Sequence, residues 1–497
     1  MKRSLYALSA TGAAIILLSL QSFAQWSAPE VLFPWQAVPA QFGDEDVSPF
    51  LASVNDDSGT IHLVWSNENQ GQTALVYAKR ENGTWSNMNT ITDENPYSVL
   101  PSLVIDADQT LHCAWVDMDF NFNFIISYSR KFAGQDWEAP VIVSDPEFFL
   151  NTYPQLIIDQ IGNVRLFYTA ADFSGENTFY FLKHSIIDQS NTGTPIQQPV
   201  PQTSPDNLAN HSIVVSDGQG ILHCSWHDSE GGVSNISAAE FDGSEWGMTT
   251  KLAIDGQGTT LQDDMPIVLA TNSSNEIYSI WAASMVGHAQ YSVLNNSTWT
   301  PKQNIDDSHF RNAVGLFDGS DVLHMAGTGL TMDGGDLYHH TLQNENWEHT
   351  LIEAGTSTSK PGFPTMVISN DMLFCFYVRI TESSGYQLVE SYLPLDFQTG
   401  IEPSDPMYRS MLAVYPNPAN TSSMVNFNTP NPGPVVFNLH NLSGKTVNSN
   451  TIQIEQSGIQ TFAWNQIFGN TLPVNGLYVI EVVSNGFQYS GKVIIAN

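Results

Sequence analysis

The chain has 497 residues, with 16 Lys and Arg against 50 Asp and Glu for a net charge of −34, and it is 42% hydrophobic and 11% aromatic. That apolar content excludes a disordered chain, and the length is too great for one ordinary core unless the core is a repeat array. The excess negative charge excludes nucleic acid and an anionic membrane as natural partners, because phosphates would be repelled.

The first residues read as a secretory signal. Lys2 and Arg3 precede an apolar run, densest from Ala13 to Leu20, and Ser22-Phe23-Ala24 is a small-x-small cleavage site that makes Gln25 the mature start. The run is short for a membrane span and no second one follows, so no transmembrane segment is expected in the mature chain. Residues 25–33 form an orphan strand around Trp26-Ser27-Ala28-Pro29, which resembles the last strand of a module that recurs downstream.

That module is clearest from Pro101 to Val143. It contains a first strand, a polar turn, Leu111-His112-Cys113-Ala114-Trp115, a polar loop, Ile125 to Arg130, and a last strand opened by Trp137. Related stretches begin at Pro49, Pro154, Pro266, near Asn312 and at Pro364, with another around Leu222 to Trp226. A period of about fifty residues with four strands each is the pattern of a β-propeller. The last module lacks a fourth strand and the N-terminus supplies one, so an all-β, seven-bladed propeller over residues 25–395 is expected, closed by its own N-terminal strand. Six blades is the alternative, because the third module's last strand lacks the Trp and dissolves into Pro195 to Pro205.

Recurrence assigns most of the conspicuous residues to construction. Asn82, Gly134, Gly243, Asn296 and Asn344 each sit three residues before a last-strand Trp, where a tight turn demands positive φ. The turns at Asp56, Asp106, Asp217 and Asp318 look like calcium loops but repeat at one module position, which favours hairpin chemistry; calcium stays open as the one cofactor candidate, and none other is identified. His62, His112, His223 and His324 share one position on separate modules, which is a structural pattern rather than a converging metal site. Cys113, Cys224 and Cys375 also share a position and read as buried fillers, not a disulfide set.

Residues 396–414 read as a linker, and composition changes after it. Tyr415-Pro416-Asn417-Pro418, Leu439 to Gly444-Lys445, Leu472 to Gly476-Leu477-Tyr478 and Gly491-Lys492-Val493-Ile494-Ile495 follow in order over residues 415–497. This segment resembles the type IX secretion C-terminal sorting domain of Bacteroidetes-type bacteria. The resemblance implies a small Ig-like β-sandwich, passage across the outer membrane by the type IX machinery, and a mature protein that is secreted or held at the outer cell surface.

The repeats also resemble the sialidase-like superfamily, whose hairpin before the fourth strand carries Ser-x-Asp-x-Gly-x-Thr-Trp. Only the Gly or Asn and the Trp persist here; Arg80 and Phe241 stand where the Asp belongs. A sialidase grips its substrate carboxylate with three arginines, and the propeller region holds only Arg80, Arg130, Arg165, Arg311 and Arg379, with the Arg-Ile-Pro signature missing. No Gly-x-Ser-x-Gly, His-Glu-x-x-His or phosphate-loop motif occurs. The remaining signal is a rim of long acidic and aromatic loops, with Tyr97, Asp117, Asp119, Phe120, Phe149, Tyr153, Asp172 and Asp228 as candidate ligand residues and further members at Phe42, Asp44, Glu45, Asp46, Asp93, Glu94, Phe122, Glu147, Phe148, Asp263, Asp264, Asp306, Asp307 and His309. Carboxylates beside aromatic rings suit glycan or protein binding; a hydrolase using paired rim carboxylates is the alternative.

Overall fold

The computed structural model describes residues 26–33, 51–395 and 412–495 apart from short connecting stretches, and the chain divides into two compact units, residues 1–397 and 398–497. The expected cleavage site at Ala24 and Gln25 lies outside the described residues.

In the first unit, antiparallel four-stranded meanders follow one another. The first contains Leu51–Asn55, Ile61–Asn69, Gln72–Glu81 and Thr84–Trp85; the second Ser98–Ile105, Leu111–Met118, Phe124–Lys131 and Val141–Ile142. The third contains Leu150–Ile158, Val164–Asp172, Phe179–Asp188 and Thr194–Gln197; the fourth Leu208–Ser216, Leu222–Glu230, Val233–Phe241 and Thr250–Ile254. Then come Asp264–Thr271, Ile277–Ala283, His288–Asn295 and Thr298–Trp299, followed by Arg311–Phe317, Leu323–Thr328, Leu337–Gln343 and Asn346–Glu353. The last sheet is built from Ser359–Ser369, Met372–Thr381 and Gly385–Pro394, and its fourth strand is Glu30–Phe33 from the N-terminus. Glu30 pairs with Glu390 and Val31 with Val389, and the Ser27 N–H donates to the Tyr392 carbonyl at 2.8 Å. The first strand of each sheet packs beside the first strand of the next, and Ser359–Ser369 packs beside Leu51–Asn55, so the succession closes on itself.

Second strands are apolar on both faces because each sheet is sandwiched between two others; Trp65, Trp115, Trp226 and Trp281 are wholly buried there. At five junctions one third-strand position receives an indole from the segment that leads into or forms the fourth strand of the next sheet. Tyr77 meets Trp137 edge-on at 5.6 Å, His184 meets Trp246 at 6.0 Å and Tyr291 meets Trp347 at 5.6 Å. Glu390 accepts the Trp85 indole N–H at 3.0 Å, and His339 receives Trp26 at 5.1 Å. Each aromatic pair of this geometry contributes about 0.5–1.5 kcal/mol beyond its buried area.

The third module corrects the expectation that its last strand dissolves. Thr194–Gln197 pairs with Ser185 to Asp188 as a regular fourth strand. It lacks the Trp because Gly193 occupies the space against Tyr128: its φ is +81°, and a Cβ there would lie 2.9 Å from Val141 Cγ2 and 3.0 Å from Tyr128 Cδ1. The sequence reading missed this strand because proline-rich flanks masked it.

The first-to-second-strand turns share one internal design. Asp56, Asp159, Asp217, Asn272 and Asp318 each accept two backbone N–H groups, two and four residues on, through one side-chain oxygen. Successive turns are also tied sideways. Gln109 accepts the Asp57 N–H at 3.1 Å, Asn275 accepts the Gly218 N–H at 2.8 Å, and Asp321 accepts from the Ser273 backbone at 2.8 Å and hydroxyl at 2.6 Å. Ser369 donates to the Gly59 carbonyl at 2.7 Å, which joins the last sheet to the first. Gln109, Asn275 and Asp321 hold φ near +60°, a conformation that costs a side-chain-bearing residue energy; the sideways bond is what each gains from it. The cysteines are buried and free.

The second unit has a sheet of Leu412–Tyr415, Met424–Thr429 and Gly458–Ala463, and a sheet ordered Thr446–Ile454, Gly433–Asn441, Gly476–Ser484 and Phe487–Ile495. A short helix, Trp464–Phe468, inserts Trp464, Ile467 and Phe468 into a core with Val425, Phe427, Phe437, Leu439 and Ile480. Its first strand begins inside the expected linker, because Leu412 and Val414 extend the apolar pattern upstream of Tyr415.

Candidate functional site

The second-to-third-strand loops and the starts of the first strands lie at one end of the sheets, as the pairings Ser98 with Asp117, Leu150 with Ala171 and Ala209 with Asp228 require. Six first-strand bulges face that end. In four of them a non-glycine residue holds positive φ: Leu100 at 56°, Tyr153 at 52°, His211 at 52° and Phe363 at 53°. Bulges re-aim side chains, and in the third and fourth sheets the re-aimed groups are a phenol and an imidazole instead of apolar residues. The rings of Tyr153 and His211 are 4.7 Å apart. The His211 backbone N–H donates to Thr169 Oγ1 at 3.1 Å, and its ring Nδ1 is buried with no hydrogen-bond partner among the described residues. Burial, and then the neighbouring His227, hold the His211 pKa down at about 4, so the ring is neutral at pH 7.

Beside this pair is an aromatic cluster. Tyr97 and Tyr153 both pack on the buried group Val99, Leu100, Val116 and Phe124. Phe124 meets Tyr97 edge-on at 6.0 Å and Phe149 at 6.4 Å, and Asn151, wholly buried, donates its amide to the Phe124 carbonyl at 3.0 Å. Burial raises the Tyr97 phenol well above its usual range.

The loop over this cluster copies the turns of the opposite end. Asp119 Oδ1 accepts the backbone N–H of Asn121 at 2.8 Å and of Asn123 at 2.9 Å, and Oδ2 takes the Asn123 amide at 3.0 Å. Burial works to raise the Asp119 pKa, but these donors outweigh it and the net direction is down. The residue three after the Asp, which is Gly59, Gln109, Gly162 or Gly220 in other turns, is Phe122 here, at φ +63°. Phe120 is 96% exposed, Phe122 69% and Phe149 50%. A bulky residue in the left-handed region costs about 1 kcal/mol, and here it holds two phenyl rings in solvent on a turn fixed by its own hydrogen bonds.

Of the residues singled out from the sequence, Tyr97, Phe149 and Tyr153 therefore converge, and Asp119 and Phe120 form the adjoining loop. Asp117 is not a rim residue. It is the penultimate residue of the strand Leu111–Met118 and fully buried, and Ser98 Oγ donates to it at 2.6 Å. Asp228 is likewise buried within a second strand, accepting from Ser237 Oγ at 3.1 Å. Both were misplaced because a polar residue at the end of an apolar strand reads as the start of a loop. Asp172 ends the strand Val164–Asp172, half-buried. Phe42, Asp44, Glu45, Asp46, Asp93, Glu94, Asp263, Asp306, Asp307 and His309 lie outside the described residues, as does the side chain of Asp264. His211 was overlooked; its signal was its departure from what its repeat position otherwise holds, whereas Phe122 was among the rim aromatics singled out.

The arginines are engaged elsewhere. Arg80 pairs with Glu390 at 3.4 Å, Arg130 with Glu138 at 2.7 Å, Arg165 with Asp159 at 2.6 Å and Arg379 with Glu353 at 2.6 Å. The side chain of Arg311 lies outside the described residues. Among the described residues no three His, Cys, Asp or Glu side chains gather to hold a metal ion, and no helix is long and apolar enough to cross a membrane.

In the second unit, Tyr478 is buried and donates its hydroxyl to the Val474 carbonyl at 2.8 Å, and the Lys445 N–H donates to Asn441 Oδ1 at 3.0 Å. Gly476 opens the strand Gly476–Ser484, Tyr415 closes Leu412–Tyr415 and Lys492 pairs with Val479. Pro416, Asn417, Pro418 and Gly444 lie outside the described residues.

Residues 413–496 match the family model described as the secretion system C-terminal sorting domain. No curated protein matches the chain. Solved structures similar to it include a protein of unknown function from Dyadobacter fermentans, at 12% identity and TM-score 0.46 over 74% of this chain and 99% of that one. A PL25 ulvan lyase is similar at 10% identity and TM-score 0.49 over 74% and 94%, and the NanB sialidase of Streptococcus pneumoniae at 11% identity and TM-score 0.40 over 73% and 71%. At these identities no functional residue carries across to this chain.

Proposed function

From the type IX sorting domain that ends this chain, we infer an exported cargo whose N-terminal unit is a seven-bladed propeller, delivered to the medium or the outer cell surface and binding a glycan there through the aromatic rim of its second and third sheets. The closed cycle of first strands and the N-terminal strand on the last sheet support seven blades. Removal of residues 1–24 and an Ig-like sandwich for the second unit belong to the same reading.

One observation carries the binding function: Phe122 is held at positive φ so that Phe120 and Phe122 stand exposed beside Phe149. Strain that serves no internal packing marks a surface kept for a ligand. Exposed rings stack on the C–H faces of sugars. With its described arginines already paired, the unit favours neutral polysaccharides over acidic ones. The test is an array of neutral and uronate-containing glycans probed with the mature chain, with and without calcium. Neutral glycans should bind, and Phe120→Ala and Phe149→Ala should each weaken them severalfold; binding unchanged in both variants would sink the reading.

The second reading is an enzyme, and the Tyr153–His211 pair favours it. A neutral imidazole with a free Nδ1 beside a phenol is equipped to take and return a proton. Turnover of any polysaccharide by the wild type that is lost in both His211→Gln and Tyr153→Phe, with binding retained, would select this reading.

A further inference from the structure

A polar chain runs through the sheets from the turn carboxylate to the second-strand histidine and on to the third-strand ring that receives the next sheet. In the second sheet Asp106 Oδ2 is 3.1 Å from His112 Nε2, and His112 Nδ1 is 2.7 Å from the Tyr128 hydroxyl. In the first, His62 Nδ1 is 2.8 Å from the Tyr77 hydroxyl. A hydroxyl rotates to give or accept a hydrogen, so it accommodates either charge state of the imidazole.

The sixth sheet departs from this. Its third-strand ring is His339, whose Nε2 faces Nδ1 of His324 at 2.9 Å, with the rings nearly parallel at 5°. Asp318 Oδ2 lies 3.2 Å from His324 Nε2. Both histidines are buried. Against His339 lies Trp26, edge-on, at the head of the segment that closes the ring.

The facing nitrogens share one hydrogen when both rings are neutral. One added proton on the pair is accommodated, because the cation can donate to Asp318 through His324 Nε2 while the facing nitrogens still share a hydrogen. A second sets N–H against N–H, with two cations about a hydrogen-bond length apart in a buried site, which low dielectric makes strongly repulsive. Among the described groups, those bearing on His339 are His324 and His340, with Asp318 behind His324; Trp26 brings no charge. Beyond these, His349 lies against His340, and Glu353 is held by Arg379. Burial first, then His324 and His340, hold the pKa of His339 well below the usual histidine range.

We propose that the His324–His339 pair is an acid-released latch on ring closure: its second proton displaces Trp26 and frees Glu30–Phe33 from the strand Gly385–Pro394. The test is hydrogen–deuterium exchange on the mature full chain from pH 7.5 to 3.5, corrected for intrinsic rates. Peptides covering 26–33 and 385–394 should lose protection at least ~10-fold more than those covering 111–131, as expected of a segment opening locally. His339→Tyr, which installs the residue of the first and second sheets, should abolish that difference. If it does not fold, His324→Phe, the residue the seventh sheet holds at Phe374, decides in its place. Simultaneous loss of protection in the closing strand and the second sheet, or an unchanged acid response in the folded variant, overturns the proposal.

Discussion

Trp26 stands to His339 as Trp137 stands to Tyr77: each indole meets the third-strand ring of the preceding sheet edge-on, at 5.1 Å and 5.6 Å. The N-terminal segment is therefore joined to the ring by the same contact that joins sheets within it. Trp26→Ala should destabilise the first unit by about 3–5 kcal/mol, the range for truncating a buried Trp. Denaturant unfolding of the full chain, followed by near-UV circular dichroism, checks this, with Trp137→Ala for comparison.

Several histidines are buried uncharged. Burial holds His184 and His340 at about 3 and His211 and His227 at about 4. Above pH 6.5 the folded and unfolded chains bind equally few protons at these sites, and stability is insensitive to them. As pH falls below 6.5 the unfolded chain takes protons that the folded chain refuses, so stability declines until the folded values are reached, by roughly 1.4 kcal/mol per site for each pKa unit of difference. Urea midpoints should be flat from pH 8 to 7 and fall steadily from pH 6 to 4.

Phe122→Gly separates strain from binding. Glycine occupies the left-handed region freely, so the variant should be more stable by a few tenths to about 1 kcal/mol while binding glycan severalfold more weakly. Thermal unfolding and glycan titration on one preparation read both; a less stable variant would mean that Phe122 packs.

Gly193→Ala should cost about 1–3 kcal/mol through crowding in a packed site, because its Cβ would press on Val141 and Tyr128 at a backbone φ of +81°. A midpoint shift in chemical denaturation reports it.

Deleting residues 412–497 should leave the remaining chain inside the outer membrane. Fractionation with an antibody to the first unit checks this; normal delivery to the surface or the medium would show that the sorting domain is dispensable.

The repeat was legible because Trp26, Trp85, Trp137, Trp246, Trp299 and Trp347 recur at one module position, and all of these but Trp299 meet the third strand of the preceding sheet. The third sheet's last strand was not, since Gly193 does by absence what a Trp does elsewhere. The histidines were readable as structural, but their partners were not: Asp106 and His112 are six residues apart and meet only when the hairpin folds. At the rim, aromatic residues were visible and their arrangement was not. Asp117 looked like Asp119 in sequence, yet one is buried in a strand and the other folds an exposed turn. Tyr153 and His211 are far apart in the chain and meet through two bulges, which no local pattern announces.

The sideways bonds between successive first-to-second-strand turns make the two ends of the first unit unequal. A residue inserted into the turn at Gln109 or Asn275 would break a bond to the adjacent sheet as well as its own hairpin. The loop from Asp119 to Asn123 uses the same turn, and its capping bonds stay within the turn itself. Sequence change should therefore accumulate at one end and be purged at the other. For an engineer, that end is the place to graft new recognition loops, with the opposite turns kept as the fixed base.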